Sequence, residues 1–174
     1  MTETASPSPS DASPPRRGSR RRWIVRGSLG LLALLVVIQL VPYGRDHNNP
    51  APSKQVRLAT ASQRVVFTKA CADCHSYDTK WLWYTNVAPV SWLVQSDVNG
   101  GREGLNLSAW DKAQPEVNEV IEQISSGEMP PLKYWVSPYH WSARLSAKEK
   151  DELIAGFKAL YTKDPPPIAR GGGG

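Results

Sequence analysis

The sequence predicts an all-α chain, one apolar helix followed by a single small helical domain. Three observations predict it. Apolar residues recur at three- and four-residue spacing before residue 70, after 116 and after 146, which is the period of a helix face. Ser146 with Glu149, and Ser108 with Asp111, read as helix-opening caps. No stretch alternates apolar and polar residues as a strand does, and no segment repeats. At 174 residues there is room for one domain of ordinary size plus appendages.

Residues 1–22 are rich in Ser, Pro, Thr and Ala and then in arginine, a composition that cannot bury enough surface to fold. The formal charge of +5 is concentrated there, with six arginines among residues 1–26 against Glu3 and Asp11. The remaining fifteen Lys/Arg face fourteen Asp/Glu, so the domain itself is nearly neutral. A nucleic-acid partner needs a basic patch on the folded domain and is excluded on that ground. Residues 23–43 carry an almost unbroken apolar run between Trp23 and Tyr43, long enough for a membrane anchor of about 20 residues. The arginines before it predict a cytoplasmic N-terminus and an extracytoplasmic body. No small-x-small site closes the run, which favours a retained anchor over a cleaved signal.

Residues 44–54, with Gly44, Asn48, Asn49, Pro50 and Pro52, read as a linker. From Gln55 the spacing of Leu58, Ala61, Val65, Val66 and Ala70 predicts a helix leading into Cys71. An aromatic stretch follows, Trp81 to Leu93, and then a turn at Asn99-Gly100-Gly101. Ser108 is expected to open a helix. Another carries Val117, Val120, Ile121 and Ile124 on one face and stops at Gly127. The last helix presents Leu153, Ile154, Phe157, Leu160 and Tyr161 as a stripe. The domain is therefore placed at 55–163, with a disordered tail over 164–174.

The chemistry is concentrated in Cys71-Ala72-Asp73-Cys74-His75, which holds both cysteines of the chain. C-x-x-C-H is the attachment pattern of a c-type haem. Each thiol can add across one porphyrin vinyl group, and the adjacent histidine is placed to ligate iron. A structural zinc site wants four Cys or His ligands, and only His47 and His140 are left to complete one. A redox C-x-x-C belongs in a βαβ context that is missing here.

Met129 is the only methionine besides the initiator. It follows a helix-ending glycine and precedes two prolines that restrict the backbone. It is the expected sixth ligand, with His140 the rival. A helix, the motif, further helices, a Met-Pro loop and a closing helix follow the plan of a small class I cytochrome c around one covalently attached haem. Trp83, Tyr84, Trp92, Arg102 and Trp110 are candidate haem-wall or propionate partners, because a buried carboxylate must be paired. The Ala88-Pro89 backbone is a candidate acceptor for the second nitrogen of His75.

Cys71-Ala72-Asp73-Cys74-His75-Ser76, Trp81-Leu82-Trp83-Tyr84, Ala88-Pro89-Val90-Ser91-Trp92-Leu93, Gly101-Arg102, Leu105-Asn106-Leu107-Ser108-Ala109-Trp110 and Gly127-Glu128-Met129-Pro130-Pro131 occur in that order. Together they resemble the bacterial haem-binding domain family of small, often membrane-anchored proteins with one C-x-x-C-H motif. The resemblance covers about residues 55–162. Leu82, Thr85 and Trp141 depart from its pattern without touching the thiol or methionine positions. It implies haem binding more strongly than any particular partner.

The expectation is thus a membrane-anchored monohaem cytochrome c that carries single electrons between redox partner proteins and catalyses no reaction. A haem-bearing accessory subunit is the alternative, and a haem sensor or peroxidase the third.

Overall fold

The computed structural model describes residues 17–135 and 143–169. Its regular structure among these is helical, apart from isolated bridges at Lys54–Ala109 and Gln114–Ile168. The chain divides into two compact units, Met1–Val41 and Pro42–Gly174.

The first unit holds α1, Arg17–Ile38. This corrects the span expected at residues 23–43. The helix takes in five arginines at its start and breaks into turns after Ile38. Its uncharged part, Gly27–Ile38, has twelve residues and rises about 18 Å, against a hydrocarbon core of about 30 Å. No helix among the described residues is long and apolar enough to cross a membrane.

The second unit contains α2 (Ala61–Ala70), the single turn α3 (Ala72–His75), a 3-10 turn (Trp83–Asn86), α4 (Val90–Gly104), α5 (Val117–Ser126), the short α6 (Leu132–Trp135) and α7 (Ala147–Lys163). α2 begins six residues later than Gln55, because Thr60 caps it. The Thr60 hydroxyl accepts from the Gln63 N–H at 3.1 Å, and Gln63 Oε1 accepts from the Thr60 N–H at 3.1 Å. Residues 54–58 are extended instead, with Val56 and Leu58 turned inward at a spacing of two. The Val56 N–H donates to Leu107 O at 2.8 Å and the Trp110 N–H to Lys54 O at 3.0 Å.

Two further expectations are corrected. Asn99-Gly100-Gly101 is not a turn but lies inside α4. Ser108 opens no helix. It is fully buried, its hydroxyl accepting from the Tyr77 N–H at 3.0 Å and donating to Gln55 Oε1 at 2.9 Å. The Ser146–Glu149 capping box at the start of α7 is present, and so is the left-handed Gly127 that ends α5 at φ 85°.

α7 packs on both α2 and α5, and α3 packs on α4. Between them lie Val66, Phe67, Leu107, Trp110, Ile124, Leu153, Phe157 and Leu160. The segments expected to be loose are held down. Arg102 donates to Asn48 O and Asn49 Oδ1, both at 2.8 Å, and the Asn49 amide donates to Thr79 O at 2.9 Å. His47 stacks on Trp81 with ring centroids 4.7 Å apart. At the other end, Gln114 exchanges backbone hydrogen bonds with Pro167 and Ala169 at 2.8 Å. The parts of the basic segment and tail at 1–16 and 170–174, and the rival ligand His140, lie outside the described residues.

Candidate functional site

α2 and α3 meet at Cys71, whose backbone (φ −127°, ψ −35°) interrupts the helix. The interruption presents the motif in a tight arc, with the Cys74 and His75 N–H groups both donating to Cys71 O at 3.1 and 2.9 Å. The next residues fix its far end. Ser76 Oγ donates to Ala72 O at 2.7 Å, Thr79 Oγ1 to Asp73 O at 2.6 Å, and the Lys80 N–H to Asp73 Oδ1 at 2.9 Å.

His75 Nδ1 lies 3.0 Å from both Gly101 O and Leu105 O. Carbonyls only accept, so Nδ1 carries the proton and Nε2 keeps its lone pair. These carbonyls belong to the C-terminal end of α4, where Gly101 O also accepts from the Leu105 N–H at 2.9 Å and Leu105 is the cap residue beyond the last turn. They take the role the sequence assigned to the Ala88-Pro89 backbone. Burial holds the His75 pKa below its ordinary value, which keeps the imidazole neutral and able to donate electron pairs.

The motif opens onto a cavity of about 410 Å³. Cys71, Cys74, His75 and Met129-Pro130-Pro131 all line it, together with the apolar Ala70, Leu105, Val120, Ile124 and Phe157. Met129 follows the left-handed Gly127, and its N–H donates to Gln123 O at 3.0 Å. Burial pushes both thiols up to about 12. That is the reverse of the lowered pKa that makes a C-x-x-C pair a redox catalyst.

The remaining candidates fall elsewhere. Trp83, Tyr84, Trp92, Arg102 and Trp110 do not line this cavity. Trp83 is 68% exposed, because the 3-10 turn carries it outward. Trp110 is in the core, its indole N–H donating to Asp164 O at 2.7 Å. Arg102 is committed to residues 48–49, Thr79 and Ser76 O. The polar groups that do line the cavity include Lys69, Asp97 and Tyr134, which sequence reasoning missed. Lys69 preceding the motif by two residues was the one available signal.

A mostly apolar chamber of this size, bearing two thiols, an imidazole with one free nitrogen and a thioether, has the donor set of a site for a flat iron porphyrin. The fold and site therefore define a helical haem protein. The chain matches the family model described as "Haem-binding domain" over residues 33–159, most of its length, and belongs to that family. No curated protein and no solved structure matches it.

Proposed function

We propose that the protein is a monohaem c-type cytochrome that passes single electrons between proteins at the outer face of a membrane. The observation that carries the reading is the convergence of Cys71, Cys74, His75 and Met129 on one apolar cavity. Bound there, haem supplies a one-electron Fe(III)/Fe(II) couple.

The chain's own residues do the rest. Cys71 and Cys74 would hold the ring covalently, each thiol adding its sulfur and its proton across one vinyl group with no net change of oxidation state. His75 is held by Gly101 and Leu105 with Nε2 available to the metal. Met129 would supply its sulfur as the second protein ligand, which would raise the potential relative to a second histidine. Two protein ligands would leave the metal no open position for a substrate, which favours carriage over catalysis.

Covalent attachment of this kind belongs outside the cytoplasm. Membrane association is proposed through the exposed apolar residues of α1 and the turns after it, including Leu29, Leu32, Val36 and Leu40. A second reading, accessory subunit of a larger respiratory assembly, is favoured by residues 81–96, which carry no charge. Within them Leu82, Trp83, Val87, Val90 and Leu93 are exposed.

The test is to express the full chain in a host competent for cytochrome maturation and denature the purified protein in acidified organic solvent. Haem should stay with the polypeptide, and a redox titration should follow a one-electron curve. Haem that extracts completely overturns the c-type assignment.

A further inference from the structure

α4 carries Asp97, Gly101 and Leu105 at four-residue spacing, on one face of the helix and its cap. The second and third hold His75. Asp97 reaches the opposite ligand's loop. The Tyr134 hydroxyl donates to Asp97 Oδ2 at 2.5 Å, and Lys133 Nζ stands 2.7 Å from the same oxygen. Lys133 and Tyr134 are in α6, which begins directly after Met129-Pro130-Pro131. Both Asp97 and Tyr134 line the cavity beside Cys74 and Met129.

We propose that Asp97, by clasping Tyr134 and Lys133, is a positioning residue that holds the Met129 loop closed and keeps the thioether on the iron. The proposal rests on Met129 being the sixth ligand. The loop is then fixed at both ends. The Met129 N–H on Gln123 O holds its start, and the Asp97 clasp holds its far side against the helix that also orients His75. One rigid element thereby sets the placement of both axial ligands.

The two arms of the clasp are unequal. The Lys133–Asp97 pair is partly solvated, with side chains 42% and 23% exposed, and such pairs contribute little. The phenol-to-carboxylate bond is charge-assisted and partly buried, which makes it the stronger arm. Tyr134 therefore governs the closure, and Lys133 adds a minor share.

Full-length holoprotein in mild detergent tests this with wild type, Tyr134→Phe, Asp97→Ala, their double variant and Lys133→Met. The readouts are the weak long-wavelength band of sulfur-to-ferric-iron ligation and the rate of carbon monoxide binding to the reduced protein. Wild type should show the band and bind carbon monoxide slowly. Tyr134→Phe should weaken the band and speed binding about tenfold, the equivalent of one lost charge-assisted hydrogen bond. The double variant should add little to Asp97→Ala, because both remove the same interaction. Lys133→Met should stay within about twofold of wild type. A wild type with the band, and a folded Tyr134→Phe indistinguishable from it, overturns the clasp alone. Absence of the band in wild type overturns the Met129 reading and the clasp together. Tyr134→Phe removes a single oxygen, so it decides the matter even where Asp97→Ala does not fold.

Discussion

Gly101 and Cys74 touch backbone to backbone. A Cβ on Gly101 would stand 2.6 Å from the Cys74 carbonyl oxygen and 2.8 Å from its Cβ. α4 can approach the motif closely enough for Gly101 O to reach His75 Nδ1 because nothing projects from position 101. The glycine is helical, so alanine would gain up to about 1 kcal/mol of helix propensity there. Overpacking against immovable backbone costs about 1–3 kcal/mol, and it wins. Gly101→Ala should therefore lower both the melting temperature and the haem-to-protein ratio. Gly104→Ala is the control for unfolding, since a Cβ there meets no protein atom within 4 Å. Equal behaviour of the two variants in thermal unfolding without haem would remove the packing argument.

Met129 lies in the loop between α5 and α6, and truncating it leaves the motif untouched. Met129→Ala should keep haem bound, open the sixth position to carbon monoxide and lower the reduction potential, because a thioether favours Fe(II). Met129→His should also lower the potential while keeping the position closed. Potentiometric titration with optical detection separates the three proteins. An unchanged spectrum and potential in Met129→Ala would mean that another group ligates the iron.

The parts of the site that could be read from the chain are those whose placement is local. C-x-x-C-H fixes Cys71, Cys74 and His75 on adjacent backbone, and the Gly127 stop with the prolines after Met129 marks a loop. The structure brings all four to one cavity. The aromatic and arginine candidates were not legible, because the direction of a loop side chain depends on distant pairing. Trp110 turns inward since its backbone pairs with Lys54 and its indole with Asp164. Arg102 turns outward to residues 48–49. The extended start of the domain has a similar cause. Leu58 also fits the helical stripe of Ala61 and Val65, and only the pairing of residues 54–56 with the segment at 107–110 selects the extended start.

Glu149 joins two helices. It completes the capping box of α7 with Ser146, and it pairs with Lys69 at 2.5 Å at the end of α2. The hydrogen bond from Lys69 and those from Ser146 pull its pKa to about 2, from an ordinary 4.5. With the folded value depressed, the carboxylate's contribution is complete above about pH 4.5 and is lost as pH falls toward 2. Its exposure to solvent keeps that contribution to about 1 kcal/mol or less. Glu149→Gln keeps the cap, as Gln63 does on α2, and removes only the charge. Between pH 5 and 2, roughly the window of that titration, the stability gap between wild type and Glu149→Gln should close. Denaturant unfolding across this range measures it, and a constant gap would mean the pairing with Lys69 contributes nothing.

Trp110 separates a structural aromatic from a haem contact. It is fully buried, meets Tyr161 edge-on with centroids 5.1 Å apart, and donates its indole N–H to Asp164 O. Trp110→Phe keeps most of the apolar volume but leaves that carbonyl without its donor. The cost should be about 1–3 kcal/mol of unfolding free energy. Trp110→Ala, which also opens a cavity, should cost about 3–5 kcal/mol. Because the side chain does not line the chamber beside Cys71 and His75, the visible spectrum and reduction potential of Trp110→Phe should match wild type. The comparison needs only denaturant unfolding and a redox-titrated spectrum of the same sample. A shifted potential in a protein of unchanged stability would return Trp110 to the wall of the haem site, where the aromatic pattern of the sequence first placed it.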